Sequence, residues 1–206
     1  MEIKIPLGKL GGNKQLSQAI GKCGEWVTEL ILNSGAVTGH YKTLHNLYIP
    51  YRDNTAEIDL VLIHTKGIYV IESKNYSGWI FGDESNNYWT QCMLNKQRYK
   101  FYNPIKQNRT HINAISNYLK IDKTAFISMI LFSGKCELKK VPADTAEYII
   151  TQRDILPFKL RYDLNSRNDI FTEKQVDEIA KRLQTLTRVS EQVRRDHVDN
   201  IKSKYY

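Results

Sequence analysis

The chain has 206 residues, of which 41% are hydrophobic, and it carries a formal net charge of +8. This apolar content is sufficient for one folded domain of ordinary size, which excludes a disordered chain. No apolar run reaches the length of a membrane span, and the N-terminus has no apolar signal region. Its three cysteines are scattered and odd in number, so we expect a cytoplasmic protein without a disulfide framework, a zinc site or a membrane partner.

The N-terminal part of the chain predicts one helix and one strand. Apolar residues recur at helical spacing over residues 15–32, which predicts the helix. Glu25 falls on the side of this helix away from its apolar stripe, so periodicity alone treats it as solvent-exposed. Residues 43–51 predict the first strand, which ends at Pro50.

Residues 56–75 contain two apolar runs separated by a short turn that ends in glycine, and this pattern predicts a β-hairpin. With a loop of two or four residues, Asp59 lies directly opposite Glu72 and Glu57 lies opposite Lys74. Directly opposed side chains share one face of the sheet, with Cβ atoms about 5 Å apart. Glu72 and Lys74 are two residues apart and therefore point to the same face. A three-residue loop would instead place Asp59 and Glu72 on opposite faces.

Charged side chains within apolar strands indicate chemistry, because burying a charge without a partner is costly. Two opposed carboxylates repel each other unless a cation lies between them. Mg²⁺ and Mn²⁺ prefer such oxygen ligands, and the carbonyl of Ser73 is a further candidate ligand. Lys74 would orient or deprotonate an attacking water or stabilise developing charge. The alternative is that Asp59 and Glu72 are ordinary strand-end charges, with Glu72 paired to Lys74.

A second hairpin and a helix follow. The hairpin is predicted at residues 79–81 and 88–93, and Asn103, followed by proline, predicts a capped helix N-terminus. Gln107 falls in the first turn of that helix, where free N–H groups and the helix dipole favour anions. His111 shares its face; a substrate role is open, but a packed or surface histidine is the simpler interpretation.

The C-terminal half predicts two strands and one more helix. Residues 124–133 are nearly all apolar, which favours a central strand buried on both faces, with the preceding helix as its crossover. Residues 147–151 predict another strand, and residues 172–186 carry an apolar stripe at helical spacing. Residues 188–206 are polar and mixed in charge, which leaves open whether they extend the helix, pair with another copy or fray. The elements together predict an α/β fold with a central mixed sheet of four or five strands flanked by helices.

The stretch between Ser85 and Ile121 contains no Asp or Glu, and its basic residues are interleaved with aromatic ones. Cations make salt-dependent contacts with a phosphate backbone, and aromatic rings stack on unpaired bases. The alternative is a solvated basic face with aromatic residues in the core, because residues 88–102 also predict sheet. The candidate nucleic-acid-binding residues are Lys96, Arg98, Lys100, Lys106 and Arg109.

An ordered set of residues within about 21–120 resembles the nuclease-related domain (NERD) family, a branch of the PD-(D/E)xK nuclease superfamily. The E-x-K triplet alone is a weak signal, whereas the ordered set with its hairpin is specific. No proline precedes Asp59, so the first half of the superfamily motif is not met literally. The matching residues are Gly24-Glu25, Glu57-Ile58-Asp59, the run from Gly67 to Gly78, Trp89, Asn103-Pro104 and Gln107.

The resemblance implies a restriction-endonuclease-like core and cleavage of DNA phosphodiester bonds that depends on Mg²⁺ or Mn²⁺. It gives the role of acidic metal ligand to Asp59 and Glu72, and the role of catalytic lysine to Lys74. It makes Glu25 the accessory acid of the metal site and Gln107 the accessory amide. These five residues are the candidate catalytic set.

Three functions are open from the sequence. The favoured one is a metal-dependent nuclease acting on DNA, with RNA as an open substrate, because both acids and the lysine are present. The main alternative is a catalytically silent nucleic-acid-binding module that targets or tethers a partner, and the third is a protein-interaction domain. We expect a nuclease domain at 1–170 and a helical appendage at 171–206, packed on the same domain and available for homodimerisation.

Overall fold

The computed structural model of the protein describes Val27, residues 34–52 and residues 54–187. Apart from Val27, the predicted helix at 15–32 therefore lies outside the described residues, as does the stretch 188–206. None of the helices within the described part is long and apolar enough to span a membrane.

The predicted central mixed sheet is confirmed, and in the described part of the chain it has five strands. Numbered along the whole chain, they are β1 (Tyr41–Tyr51), β2 (Asn54–His64), β3 (Gly67–Lys74), β7 (Phe126–Phe132) and β9 (Tyr148–Gln152). Their order is β1-β2-β3-β7-β9; β1, β2 and β3 are antiparallel neighbours, and β7 runs parallel to both β3 and β9. Every residue of β7 is buried, as expected for a strand covered on both faces.

Within residues 34–52 and 54–187, three α-helices cover the two faces of this sheet: α1 (Pro104–Leu119), α2 (Leu156–Ser166) and α3 (Glu173–Gln184). Helices α1 and α3 pack on one face, where Ile63 and Val70 belong to their cluster of buried side chains. Helix α2 packs on the other face, against Leu62 and Tyr69. Because side chains alternate along a strand, Asp59, Glu72 and Lys74 belong to the face that α1 covers.

The predicted second hairpin is present, but it belongs to a four-stranded sheet that the sequence did not predict. Its strands are β4 (Gly78–Phe81), β5 (Tyr88–Cys92), β6 (Arg98–Tyr102) and β8 (Cys136–Lys140), in the order β6-β5-β4-β8. Trp89 of β5 is fully buried and stacks on Phe132 of β7, with ring centroids 6.2 Å apart. Gly82 lies against this indole, where a Cβ atom would come within 2.0 Å of a ring carbon.

The predicted start of α1 is confirmed. The side chain of Asn103 accepts a hydrogen bond from the backbone N–H of Ile105, which caps the helix. Its amide nitrogen donates to three carbonyls of the loop between β4 and β5, those of Asp83, Glu84 and Asn86. One buried side chain therefore joins the helix N-terminus to the second sheet.

The predicted helix at 172–186 is α3, which begins with a capping box between Thr172 and Gln175 and ends in a 3-10 turn at Thr185–Thr187. Its buried side chains share the core of the central sheet. Helix α2 was not predicted, although Leu156, Leu160 and Leu164 form a narrow apolar stripe on it.

Replacing Asn103, which joins α1 to the second sheet, tests how much this residue contributes to the stability of the fold. We expect Asn103→Ala to lower the free energy of unfolding by about 2–4 kcal/mol, because it removes a helix cap and leaves three carbonyls without their donor. Urea denaturation measures this change. Asn117→Ala, an exposed asparagine on the same helix, is the matched control. Equal losses in the two variants would contradict the proposed link.

Candidate active site

The carboxyl-terminal end of β3 carries the predicted acidic pair. The loop between β2 and β3 has two residues, and Leu60 pairs with Ile71, so the same register continued by one position places Asp59 opposite Glu72. The backbone N–H of Ser73 donates to a carboxylate oxygen of Asp59 over 2.8 Å. The two-residue loop and the register on which the cluster depends are therefore present.

Lys74 connects the acidic pair to helix α1. Its Nζ lies 2.6 Å from Oε1 of Glu72 and donates to Oε1 of Gln107 over 2.9 Å. The side chain of Glu72 is only 4% exposed and that of Lys74 only 15%, so this ion pair is largely removed from water. Asp59, Glu72, Lys74 and Gln107, predicted from separate parts of the sequence, thus lie in one cluster.

Helix α1 is fixed to the central sheet beside Gln107. The next residue, Asn108, is fully buried and donates to the carbonyl of Val70 over 2.7 Å and to the hydroxyl of Ser128 over 2.8 Å. These bonds join the first turns of α1 to β3 and β7. Because Gln107 is the neighbour of Asn108, they also set its height above the end of β3.

His111 lies at the same site, one turn beyond Gln107. Its Nδ1 is 3.4 Å from Oε2 of Glu72, and the side chain is buried. The sequence favoured an ordinary packed or surface histidine; the structure buries the residue and places it against an acid of the candidate set. Glu72 therefore has Lys74 on one carboxylate oxygen and His111 beside the other.

The charges of the cluster interact strongly. Burial raises the pKa of Asp59 to about 8, and the charge of Glu72 adds to this rise, whereas the Ser73 N–H and the Lys74 ammonium oppose it. Burial disfavours the charged form of Lys74, but the charge and hydrogen bond of Glu72, together with the charges of Tyr76 and Asp59, outweigh this effect, and the pKa of Lys74 lies above its ordinary value. The ammonium therefore stays protonated, while Asp59 takes up its negative charge less readily than an ordinary aspartate.

Tyr76 is a neighbour of this cluster that the sequence did not single out as a site residue. Burial raises its pKa, the positive charge of Lys74 opposes the rise, and the charge of Glu72 adds to it. The ring lies 4.5 Å, centroid to centroid, from that of Phe101 in the second sheet. The available signal was the spacing, since Tyr76 continues the two-residue alternation of Glu72 and Lys74.

The remaining predicted residues either lie apart from this cluster or fall outside the described residues. Glu25 lies outside the described residues. Lys106 donates to the carbonyl of Ser85 and to Asn87, and Arg109 pairs with Glu84, so both contact the loop between β4 and β5. The other predicted basic residues lie on β6 and on the turn before it: Lys96, Arg98 and Lys100.

The described residues supply only part of the ligand set predicted for a hard cation. Asp59 and Glu72 supply oxygen atoms of the kind that Mg²⁺ and Mn²⁺ prefer. Within residues 34–52 and 54–187, no group of three or more His, Cys, Asp or Glu side chains is placed to hold a metal ion. Among acidic side chains the described part therefore offers Asp59 and Glu72 to an ion here, and the third predicted acid is Glu25.

A model of the family described as "nuclease-related domain" matches residues 20–133 of this chain. The chain belongs to this family. The match spans the hairpin of β2 and β3 and most of the second sheet, and it includes all five candidate catalytic residues. It shows a nuclease-like domain, in agreement with the resemblance found in the sequence.

Similar proteins were found among curated sequences and solved structures. An uncharacterized protein of Bacillus anthracis is 32% identical over 210 residues, which cover 98% of this chain and 93% of that protein. Can2 from Sulfobacillus thermosulfidooxidans, solved with cyclic tetra-adenylate, is 16% identical with a TM-score of 0.42; the match covers 80% of this chain and 42% of Can2. The protein of unknown function AF1548 is 12% identical with a TM-score of 0.35, over 89% of this chain and 97% of that one.

The buried amide that fixes α1 beside the site offers a test with a distinct pH dependence. Asn108→Asp keeps the shape of the side chain but turns a donor into a carboxylate facing the carbonyl of Val70. We expect it to lower the free energy of unfolding by about 3 kcal/mol at neutral pH, since a buried charge is left without a partner.

The loss should shrink as the pH falls. Burial raises the pKa of the introduced carboxyl in the folded chain, so below that pKa it binds a proton and can donate again. Urea denaturation of wild type and variant at pH 7 and at about pH 4.5 measures the difference. Asn117→Asp, on the exposed face of α1, is the matched control. A loss that is the same at both pH values would contradict this role of Asn108.

Proposed function

We propose that this protein is a metal-dependent nuclease that hydrolyses phosphodiester bonds of DNA, with Mg²⁺ or Mn²⁺ as its cofactor. The observation that carries the proposal is the convergence of Asp59, Glu72, Lys74 and Gln107 at the end of β3, in a chain of the nuclease-related domain family. An ordinary strand-end ion pair would account for Glu72 and Lys74. It would not account for a second carboxylate facing Glu72 or for an amide bound to the lysine.

Asp59 and Glu72 are the residues that would hold the ion, with Glu25 as the accessory acid. The raised pKa of Asp59 supports this assignment, because a cation between the two carboxylates would favour the charged form of both. A bound Mg²⁺ or Mn²⁺ supplies charge stabilisation at a phosphoryl oxygen and lowers the pKa of a water that it binds.

Lys74 would act as a cation at the scissile phosphate. Glu72 and Gln107 hold its ammonium in one position, and its raised pKa keeps it charged at neutral pH. These properties favour the role of orienting the attacking water and stabilising charge that develops on the phosphate, over the role of a general base. The amide NH₂ group of Gln107 is a donor that suits the same phosphate or a water beside it.

Substitutions at the two ends of this cluster test the mechanism. We expect Asp59→Asn and Lys74→Ala each to lower the cleavage rate at least about 10²-fold, because one removes a ligand charge and the other a positioned cation. The measurement is a time course on linear duplex, circular plasmid and single-stranded DNA, with Mg²⁺, Mn²⁺ or EDTA. Asp169→Asn and Lys174→Ala, at exposed positions remote in sequence from the cluster, are the matched controls.

Each outcome of this experiment has a definite meaning. Metal-dependent cutting that is lost in both variants and kept in both controls supports the nuclease, and cutting of the circle identifies an endonuclease. Undiminished cleavage by both pure variants, or cleavage in EDTA, would contradict the mechanism. No cleavage by the wild type, with salt-sensitive DNA binding intact, would instead support the catalytically silent binding module.

A further inference from the structure

The second sheet has two unlike faces. Its inner face packs on the central sheet through Ile80 and Trp89, which belong to one buried cluster with Phe132. The opposite face, here called the outer face, carries the residues that alternate with these. In each strand pair, directly opposed residues share a face, so Trp79 and Phe81 of β4 lie on the outer face with Tyr88 of β5.

The outer face exposes large aromatic side chains. Trp79 is 41% exposed, Phe81 is 37% exposed and Tyr88 is 46% exposed. The solvent face of antiparallel strands such as β4 and β5 is ordinarily polar, because only their other face is needed for the core. Three exposed rings on two adjacent strands therefore form a patch rather than a scatter of single apolar residues, and patches of this kind mark binding surfaces.

Cations lie among these rings. Lys100 and Arg98 of β6 are exposed and pair with Thr90 and Cys92, which places them on the outer face. Lys139 of β8 lies 5.5 Å from the centre of the Trp79 ring and pairs with Glu137. The outer face thus carries the basic side chains of Arg98, Lys100 and Lys139 and the acidic side chain of Glu137. This excess of positive charge complements a phosphate backbone.

We propose that the outer face of the second sheet binds a single-stranded nucleic acid. Bases stack on Trp79, Phe81 and Tyr88, and the phosphates between them contact Arg98 and Lys100. Single strands are favoured over duplex, because paired bases are already stacked on each other and offer no free ring face to a side chain. The inference deepens the proposed nuclease function, on which it rests, by naming the form of the substrate.

The position of the face in the chain supports this occupant. Trp79 follows Lys74 by five residues, so their Cα atoms are at most about 18 Å apart. In addition, Tyr76 beside the candidate active site contacts Phe101, which pairs with Trp89 on the inner face of the same sheet and so fixes the sheet next to the site. A strand held on the outer face is therefore held within a few nucleotides of the predicted catalytic lysine.

Binding is measured without cleavage, by fluorescence anisotropy in EDTA with the full chain. The probes are labelled oligothymidylate and oligouridylate of roughly 20 nucleotides and a duplex of the same length. We expect tighter binding of the single strands than of the duplex. Trp79→Ala and Tyr88→Ala should each weaken single-strand binding by about 5- to 150-fold, the range expected for one stacked base. Tyr162→Ala, an exposed aromatic residue on α2, is the matched control and should bind as the wild type does.

Two further variants separate stacking from charge. Trp79→Phe keeps a ring and should restore most of the affinity, while removing any quenching of tryptophan fluorescence that the bound strand causes at this position. Arg98→Gln and Lys100→Gln should each reduce the slope of log K against log salt by about 0.7, because each removes one phosphate contact. Comparison of the two single-stranded probes identifies DNA or RNA as the preferred strand.

The inference is overturned if the wild type binds no single strand, if it prefers the duplex, or if Trp79→Ala and Tyr88→Ala bind as the wild type does. It is also overturned if sedimentation shows a dimer that Phe81→Ala dissociates, because the face would then be covered by a second copy. Metal-dependent cleavage with ring-independent binding would remove this inference and leave the nuclease. Ring-dependent binding without cleavage would keep the binding face and contradict the proposed nuclease activity.

Discussion

The opposition of Asp59 and Glu72 across the β2–β3 hairpin is the constraint on which the rest of the site depends. Two carboxylates face each other beside the apolar runs of these strands, and the lysine two residues further on is held against one of them. Burial and then the charge of Glu72 raise the pKa of Asp59; burial opposes the charged form of Lys74, but the negative charges around it keep its pKa above the ordinary value. Such a cluster lowers the stability of a core unless a cation or substrate completes it, so its presence favours a functional explanation over a structural one.

Helix α1 adds Gln107 to this pair of strands and so completes the described part of the candidate active site. Asn103 begins the helix and binds the loop of the second sheet, Asn108 binds β3 and β7, and Gln107 between them reaches Lys74. Each of these amides has a different partner, since Asn103 and Asn108 donate to carbonyls while Gln107 accepts from Lys74, and together they leave the first turn of α1 little freedom to shift along the sheet. The position of the Lys74 side chain is thereby fixed by a residue outside its own strand. A charged group held in this way can act on a substrate without first reorganising.

The hairpin, its register and the start of α1 were predictable, because alternation, a two-residue loop and an Asn-Pro cap are local signals. The buried strand β7 was predictable from its unbroken apolar run. Helix α2 was missed, since only Leu156, Leu160 and Leu164 form its stripe, and strand β8 was missed because three of its five residues are charged. For the basic and aromatic span the sequence left open a nucleic-acid surface or a basic face with aromatic residues in the core, and tertiary packing divides the span, burying Trp89 and leaving Tyr88 exposed.

The second sheet lies near the candidate active site because of where its strands fall in the chain. Strands β4, β5 and β6 form an insertion that leaves β3 directly after Lys74 and returns to α1 at Asn103. Both ends of the insertion are therefore anchored in elements that carry candidate catalytic residues. Its buried face adds a third anchor, because Trp89 stacks on Phe132, the residue that pairs with Lys74 across β3 and β7. A ligand bound to the sheet would thus be positioned relative to the lysine by three separate connections, and this restricts the positions that a bound strand can take over the cluster.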